Sequence, residues 1–115
     1  MDDMSNERGV ALVTGAGSGI GRATALRLAR RGDAICVFDL SARAAAETVA
    51  LIAEAGGQAV EQPGDVASAA DLECALSAAR RLGPLTAVVA NAGIEMIGTV
   101  LETSEERWHH ALSVV

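Results

Sequence analysis

VTGAGSGIGRATA, Val13 to Ala25, places four glycines within seven residues and then turns into a smooth helix former. The residues just before it, Val10 to Gly15 (VALVTG), are a short apolar run without polar alternation, which suits a strand buried on both faces. The bare turn is therefore the junction between a first strand and a first helix. Gly21, Ala25, Leu28 and Gly32 repeat at helical spacing after it, with Arg22, Arg27 and Arg30 off that stripe. Gly32 is placed to end the helix.

The pattern then repeats. AICVFDL, Ala34 to Leu40, is a second apolar run that stops at an acid. Ser41 can cap a second helix, on which Ala45, Val49, Ile52 and Ala53 share a face until Gly56–Gly57. QAVEQPGDV is a weaker third strand, and Pro63 means that it ends there or lies at an edge. Ser68 and Asp71 have the spacing of a capping box for a third helix carrying Leu72, Ala75, Leu76 and Ala79. LTAVVANAG is a fourth strand, apolar throughout. Thr103 and Glu106 suggest another capping box, with Glu102 and Glu105 in a solvated first turn. Trp108, Leu112 and Val115 mark one face of a fourth helix, and a core or interface place is expected for Trp108.

Strands without alternation, separated by helices and joined by short connections, require a parallel sheet covered on both faces. Right-handed crossovers make it doubly wound. The expected fold class is α/β, a Rossmann-type sheet running to about four strands. Residues 1–8 are expected to be a flexible tail and residues 9–115 a partial dinucleotide-binding domain.

Composition narrows the function. The net charge of −6 argues against a nucleic-acid surface, since phosphate backbones need a basic footprint. No apolar run approaches the roughly 20 residues of a membrane span. The polar start MDDMSNERG has no apolar signal core, and a cytoplasmic location is expected. Cys36 and Cys74 stand far apart with no metal-type spacing, and two small buried thiols in a reducing compartment are expected. His109 and His110 are adjacent, so a helix points them about 100° apart, and no metal site is assigned.

Glycines at the carboxyl edge of a parallel strand remove the β-carbons that would keep a ligand away, and free N–H groups at a helix start favour an anion such as pyrophosphate. A P-loop requires lysine, and the chain has none. The GxGxxG spacing fails at Ile20. The spacing that fits is TGxxxGxG, from Thr14 through Gly15 and Gly19 to Gly21. Asp39, 24 residues after Gly15, ends the second strand where a carboxylate can grip a ribose.

With Asp39 closing VFD, Asp65-Val66 after the third strand, Asn91-Ala92-Gly93 after the fourth and SEERWHHALSVV beyond, the sequence resembles the short-chain dehydrogenase/reductase family from Gly9 onward. The resemblance implies that Gly15, Gly19 and Gly21 shape the loop, with Ser18 and the Ile20 amide near the phosphates. It implies Asp39 at the adenosine ribose with Leu40 beside it, Asp65 and Val66 bordering adenine, and Asn91, Ala92 and Gly93 passing beneath the cofactor. Ala90 stands where the family usually has another asparagine. The plain structural alternatives are a turn residue at Asp65 and a turn cap at Asn91.

A carboxylate at 39 repels a 2′-phosphate and Ser18 is not arginine, so NAD is expected over NADP, with Arg43 the one nearby counter-charge. Family members transfer hydride between nicotinamide and an alcohol or carbonyl, using a serine, a tyrosine and a lysine whose places fall after this chain stops. The chain has no tyrosine and no lysine, so no catalytic residue is assigned and the chain alone is expected to be inactive. The expectation is the dinucleotide-binding half of an oxidoreductase, homo-oligomeric in its full-length form, with an open apolar edge at the fourth strand. A non-catalytic nucleotide-binding module and a degenerate remnant are the alternatives.

Overall fold

Four parallel strands alternate with four helices in the computed structural model, which describes residues 8–94 and 97–114. The order is β1 (Val10–Thr14), α1 (Gly19–Arg30), β2 (Ala34–Asp39), α2 (Ala42–Glu54), β3 (Ala59–Pro63), α3 (Ala69–Leu82), β4 (Leu85–Val89) and α4 (Glu105–Val114). The sheet order is β3-β2-β1-β4, with every pairing parallel. The α/β doubly wound sheet is as expected. Residues 1–7 of the expected tail lie outside the described residues, as does Val115 of the fourth helix face; the Nε of Arg8 donates to the Arg31 carbonyl at 3.2 Å.

Strand side chains alternate between two helical layers. Ala11, Val13, Ile35 and Val37 face α1 and α2, where Ala25, Ala29, Ala45 and Ile52 meet them. Val10, Leu12, Cys36 and Phe38 face α3 through Ala75, Ala78 and Ala79. Alanine on the helix side lets backbone and sheet approach closely, so the larger strand residues fill the space. Burying a side chain such as Phe38 or Ile35 contributes roughly 1.5–3 kcal/mol.

Local expectations change on three elements, α2, α4 and β4. On α2 the third buried position is Thr48, fully enclosed, while Ala53 is exposed. α4 begins one residue later than its cap suggests. Thr103 spends its hydroxyl on the Thr99 carbonyl, and Ser104 Oγ instead accepts from the Arg107 N–H. No residue of α4 is buried, and Trp108 and Leu112 are exposed rather than core. β4 has no fully buried residue: Leu85, Ala87 and Val89 are half-buried, whereas Val88 is 58% exposed. Pro63 both ends β3 and lies on the opposite sheet edge.

Candidate functional site

β1 continues to β2 on one side of the sheet, while the chain crosses to place β4 on the other. The loops after β1 and β4 therefore diverge at the carboxyl edge, the crevice where open α/β sheets take ligands. The turn after β1 is packed from below. A β-carbon on Gly15 would meet Asn91 Nδ2 and the Ala92 backbone, and one on Gly21 would meet the Gly15 carbonyl and Asn91 Nδ2. Gly21 accordingly does not line the crevice; it lets α1 start close beneath the loop. Gly19 has φ of +54°, so it permits a left-handed backbone, and a β-carbon on it would meet no other part of the protein.

The start of α1 differs from the other helices. Ser41, Ser68 and Ser104 accept first-turn N–H groups of α2, α3 and α4 through their hydroxyls. Ser18 holds the same position for α1, yet its side chain makes no cap bond and the first turn carries no acid. The N-terminal amides and the positive end of the dipole are left for an outside partner. Ser18, Gly19 and Ile20 are all exposed there, Ile20 at 79%.

Asp39, half-buried at the end of β2, is held by two backbone N–H groups. Gly17 donates to Oδ2 at 2.8 Å and Ser41 to Oδ1 at 2.9 Å. Each oxygen keeps a lone pair free, so the carboxylate is aimed but not consumed. A β-carbon on Gly17 would lie 2.7 Å from that carboxylate, which makes Gly17 as restricted as its neighbours. Leu40 projects beyond Asp39, 75% exposed.

The β4 loop is sewn to β1. Thr14 Oγ1 accepts from the N–H groups of Asn91 (3.0 Å) and Ala92 (3.1 Å), and Asn91 Nδ2 donates to the carbonyls of Thr14 and Gly15. Asn91 thus acts as a clasp between two loops. The turn that was the structural alternative at Asp65 is present: its Oδ1 accepts from the Ala67 N–H, and its own N–H donates to Asp71 Oδ2. Asp71 therefore completes only half of a capping box, because its carboxylate serves Asp65 rather than Ser68.

These loops enclose one groove of about 460 Å3, within the range of small-molecule sites. Gly15, Ser18, Gly19 and Ile20 form one wall, Asp39, Leu40, Asp65 and Val66 another, and Asn91, Ala92 and Gly93 the floor beside β4. Sequence reasoning missed Phe38, Gly64, Ile94 and, from α4, His110 and Val114, which line the same groove. Phe38 and Gly64 flank assigned positions and were within reach; the α4 residues carried no signal. Thr14, Thr48 and Arg22, which hold the loops, were also missed.

Of the cysteines, Cys36 is buried, with burial pushing its thiol up to about 11, whereas Cys74 is exposed, contrary to expectation. Leu72 and Leu76 take the inward part of α3, leaving Cys74 on its outer side.

The sequence profile of short chain dehydrogenases matches residues 9–115. The chain belongs to the short-chain dehydrogenase family. Its relatives include an "Uncharacterized oxidoreductase" of Thermotoga maritima, 41% identical over 105 residues, covering 91% of this chain and 41% of that protein. A (3R)-3-hydroxyacyl-CoA dehydrogenase of Rattus norvegicus is 40% identical over 114 residues, covering 91% of this chain and 44% of the relative. The crystal structure of a 3-ketoacyl-ACP reductase from Sinorhizobium meliloti superposes with a TM-score of 0.86 at 37% identity, over 91% of this chain and 42% of that one. The chain thus spans about two fifths of the length of these relatives. Among the described residues no helix is long and apolar enough to cross a membrane.

Proposed function

We propose that this chain binds a nicotinamide dinucleotide, with NAD favoured over NADP, as the cofactor-binding part of an oxidoreductase acting on an alcohol or carbonyl. The observation that carries this is the uncapped α1 N-terminus opening into the same groove as Asp39. An anion completes the helix start, and a diol completes the carboxylate, so a sugar joined to a diphosphate satisfies both. Ser18, Gly19 and Ile20 would hold the diphosphate, Asp39 the adenosine ribose, and Asp65 and Val66 the adenine side. When bound, the nicotinamide supplies hydride chemistry. The chain's own part is to bind, orient and exclude water. Proton transfer has no tyrosine or lysine to run on within these 115 residues. The exposed Cys74 thiol and the absence of any disulfide among the described residues are compatible with a reducing cytoplasm.

Asp39 also supports the choice of dinucleotide. A 2′-phosphate would sit against its carboxylate, and Arg43, four residues on in the sequence, is 91% exposed at its side chain and lies 3.7 Å from Glu47. A charge so solvated offsets little of that repulsion. Calorimetric titration tests the proposal. NAD should bind at least about tenfold more tightly than NADP, and Asp39→Ala should weaken NAD roughly 10- to 100-fold, the range for a hydrogen-bonded charge. Unchanged NAD affinity in Asp39→Ala, or no binding of either dinucleotide, overturns it.

A further inference from the structure

Thr48 lies on α2, outside the groove, fully buried and with a polar side chain that packing alone does not require. Its hydroxyl makes two bonds: Oγ1 to the Ala16 carbonyl at 2.8 Å, and Arg22 Nε to Oγ1 at 2.9 Å. The guanidinium nitrogen can only donate, so Thr48 accepts from Arg22 and has one proton to give. That proton goes to Ala16. Arg22 is itself fixed by the Ala44 carbonyl at 3.4 Å and Glu47 Oε1 at 3.1 Å, so the polarity of the relay is set from α2.

The Ala16 carbonyl and the Gly17 N–H belong to one peptide group. Thr48 holds its oxygen and Asp39 Oδ2 holds its hydrogen. The preceding amide is tied too, with Ala16 N–H donating to the Phe38 carbonyl at 3.2 Å. That plane, clamped at both ends, is the one from which the chain leads to the amides at Ser18, Gly19 and Ile20. We propose that Thr48, charged with its polarity by Arg22, is a positioning residue that sets the glycine turn for a diphosphate. This rests on the dinucleotide reading of the groove.

The test compares ADP with adenosine on the whole 115-residue chain. Thr48→Val keeps the shape but orphans the Ala16 carbonyl. It should weaken ADP about tenfold while adenosine changes less than about twofold, because Asp39 keeps its Ser41 N–H bond and so its aim. Thr48→Ser should keep the wild-type ratio of ADP to adenosine affinity. Where Thr48→Val does not fold, Thr48→Ala, which also removes the hydroxyl, should show the same selective loss of ADP. A ratio equal to wild type in the hydroxyl-free variants, with only a lower melting temperature, makes Thr48 merely structural and overturns the proposal. A serine variant that behaves like valine does so as well. A wild-type chain that binds neither ADP nor adenosine fails at the earlier step and removes the dinucleotide reading itself.

Discussion

At the residue scale, the glycines of the turn are restricted for different reasons, and substitution separates them. At Gly21 a methyl group would run into the Gly15 carbonyl and lie 2.6 Å from Asn91 Nδ2, which must move. Gly21→Ala should therefore cost about 1–3 kcal/mol in urea denaturation, the range for overpacking, and push the Asn91 clasp off both loops. Gly19 has open space, and Gly19→Ala should cost only the roughly 1–2 kcal/mol of a left-handed backbone. Spacing alone singled out Gly19 and Gly21 together; only the neighbours distinguish them.

At the element scale, the serine caps give a sharper comparison. Ser41 and Ser68 each accept an amide of their helix, from Ala44 at 3.1 Å and Asp71 at 3.2 Å. Alanine at either should cost about 1 kcal/mol of unfolding free energy. Ser18 makes no such bond, so Ser18→Ala should change stability by less than about 0.5 kcal/mol despite the equivalent position. A cost at Ser18 equal to that at Ser41 would mean that α1 is capped after all and closed to an anion. Ser41 and Ser68 were readable because a cap is a local event within four residues. The start of α4 was misplaced because Thr103 and Ser104 are both competent caps. A bond from Thr103 back to Thr99 decides between them.

At the scale of the whole molecule, the buried thiol links pH to stability. The Cys36 thiol titrates at about 11 against an ordinary 9.0 because burial penalises the thiolate. A raised folded-state value means that its contribution is complete below about pH 9 and is lost as pH rises through about 11. The loss should reach about 2 kcal/mol by pH 11. With no lysine and no tyrosine in the chain, few other groups titrate in this window, so Cys36→Ala should flatten the dependence measured by urea denaturation. A wild-type profile that is already flat from pH 9 to 11 refutes the assignment. The same tertiary placement leaves Cys74, next to Glu73 on the outer side of α3, exposed.

What the sequence determined by itself is everything that depends on neighbours along the chain. The apolar runs of β1 and β2 specify strands covered on both sides, the TGxxxGxG spacing specifies a bare strand-to-helix turn, and VFD places an acid, Asp39, at the end of β2. What only the tertiary structure decided is what depends on partners brought together by the sheet order. These are the uncovered face of Val88 on β4 and the reach of Thr48 and Arg22 to the Ala16 carbonyl. The Asn91 clasp, 77 residues from Thr14, is another. Local periodicity carries no information about such pairs. They exist because parallel strands deliver their loops to one edge, and the energies of those contacts are set there.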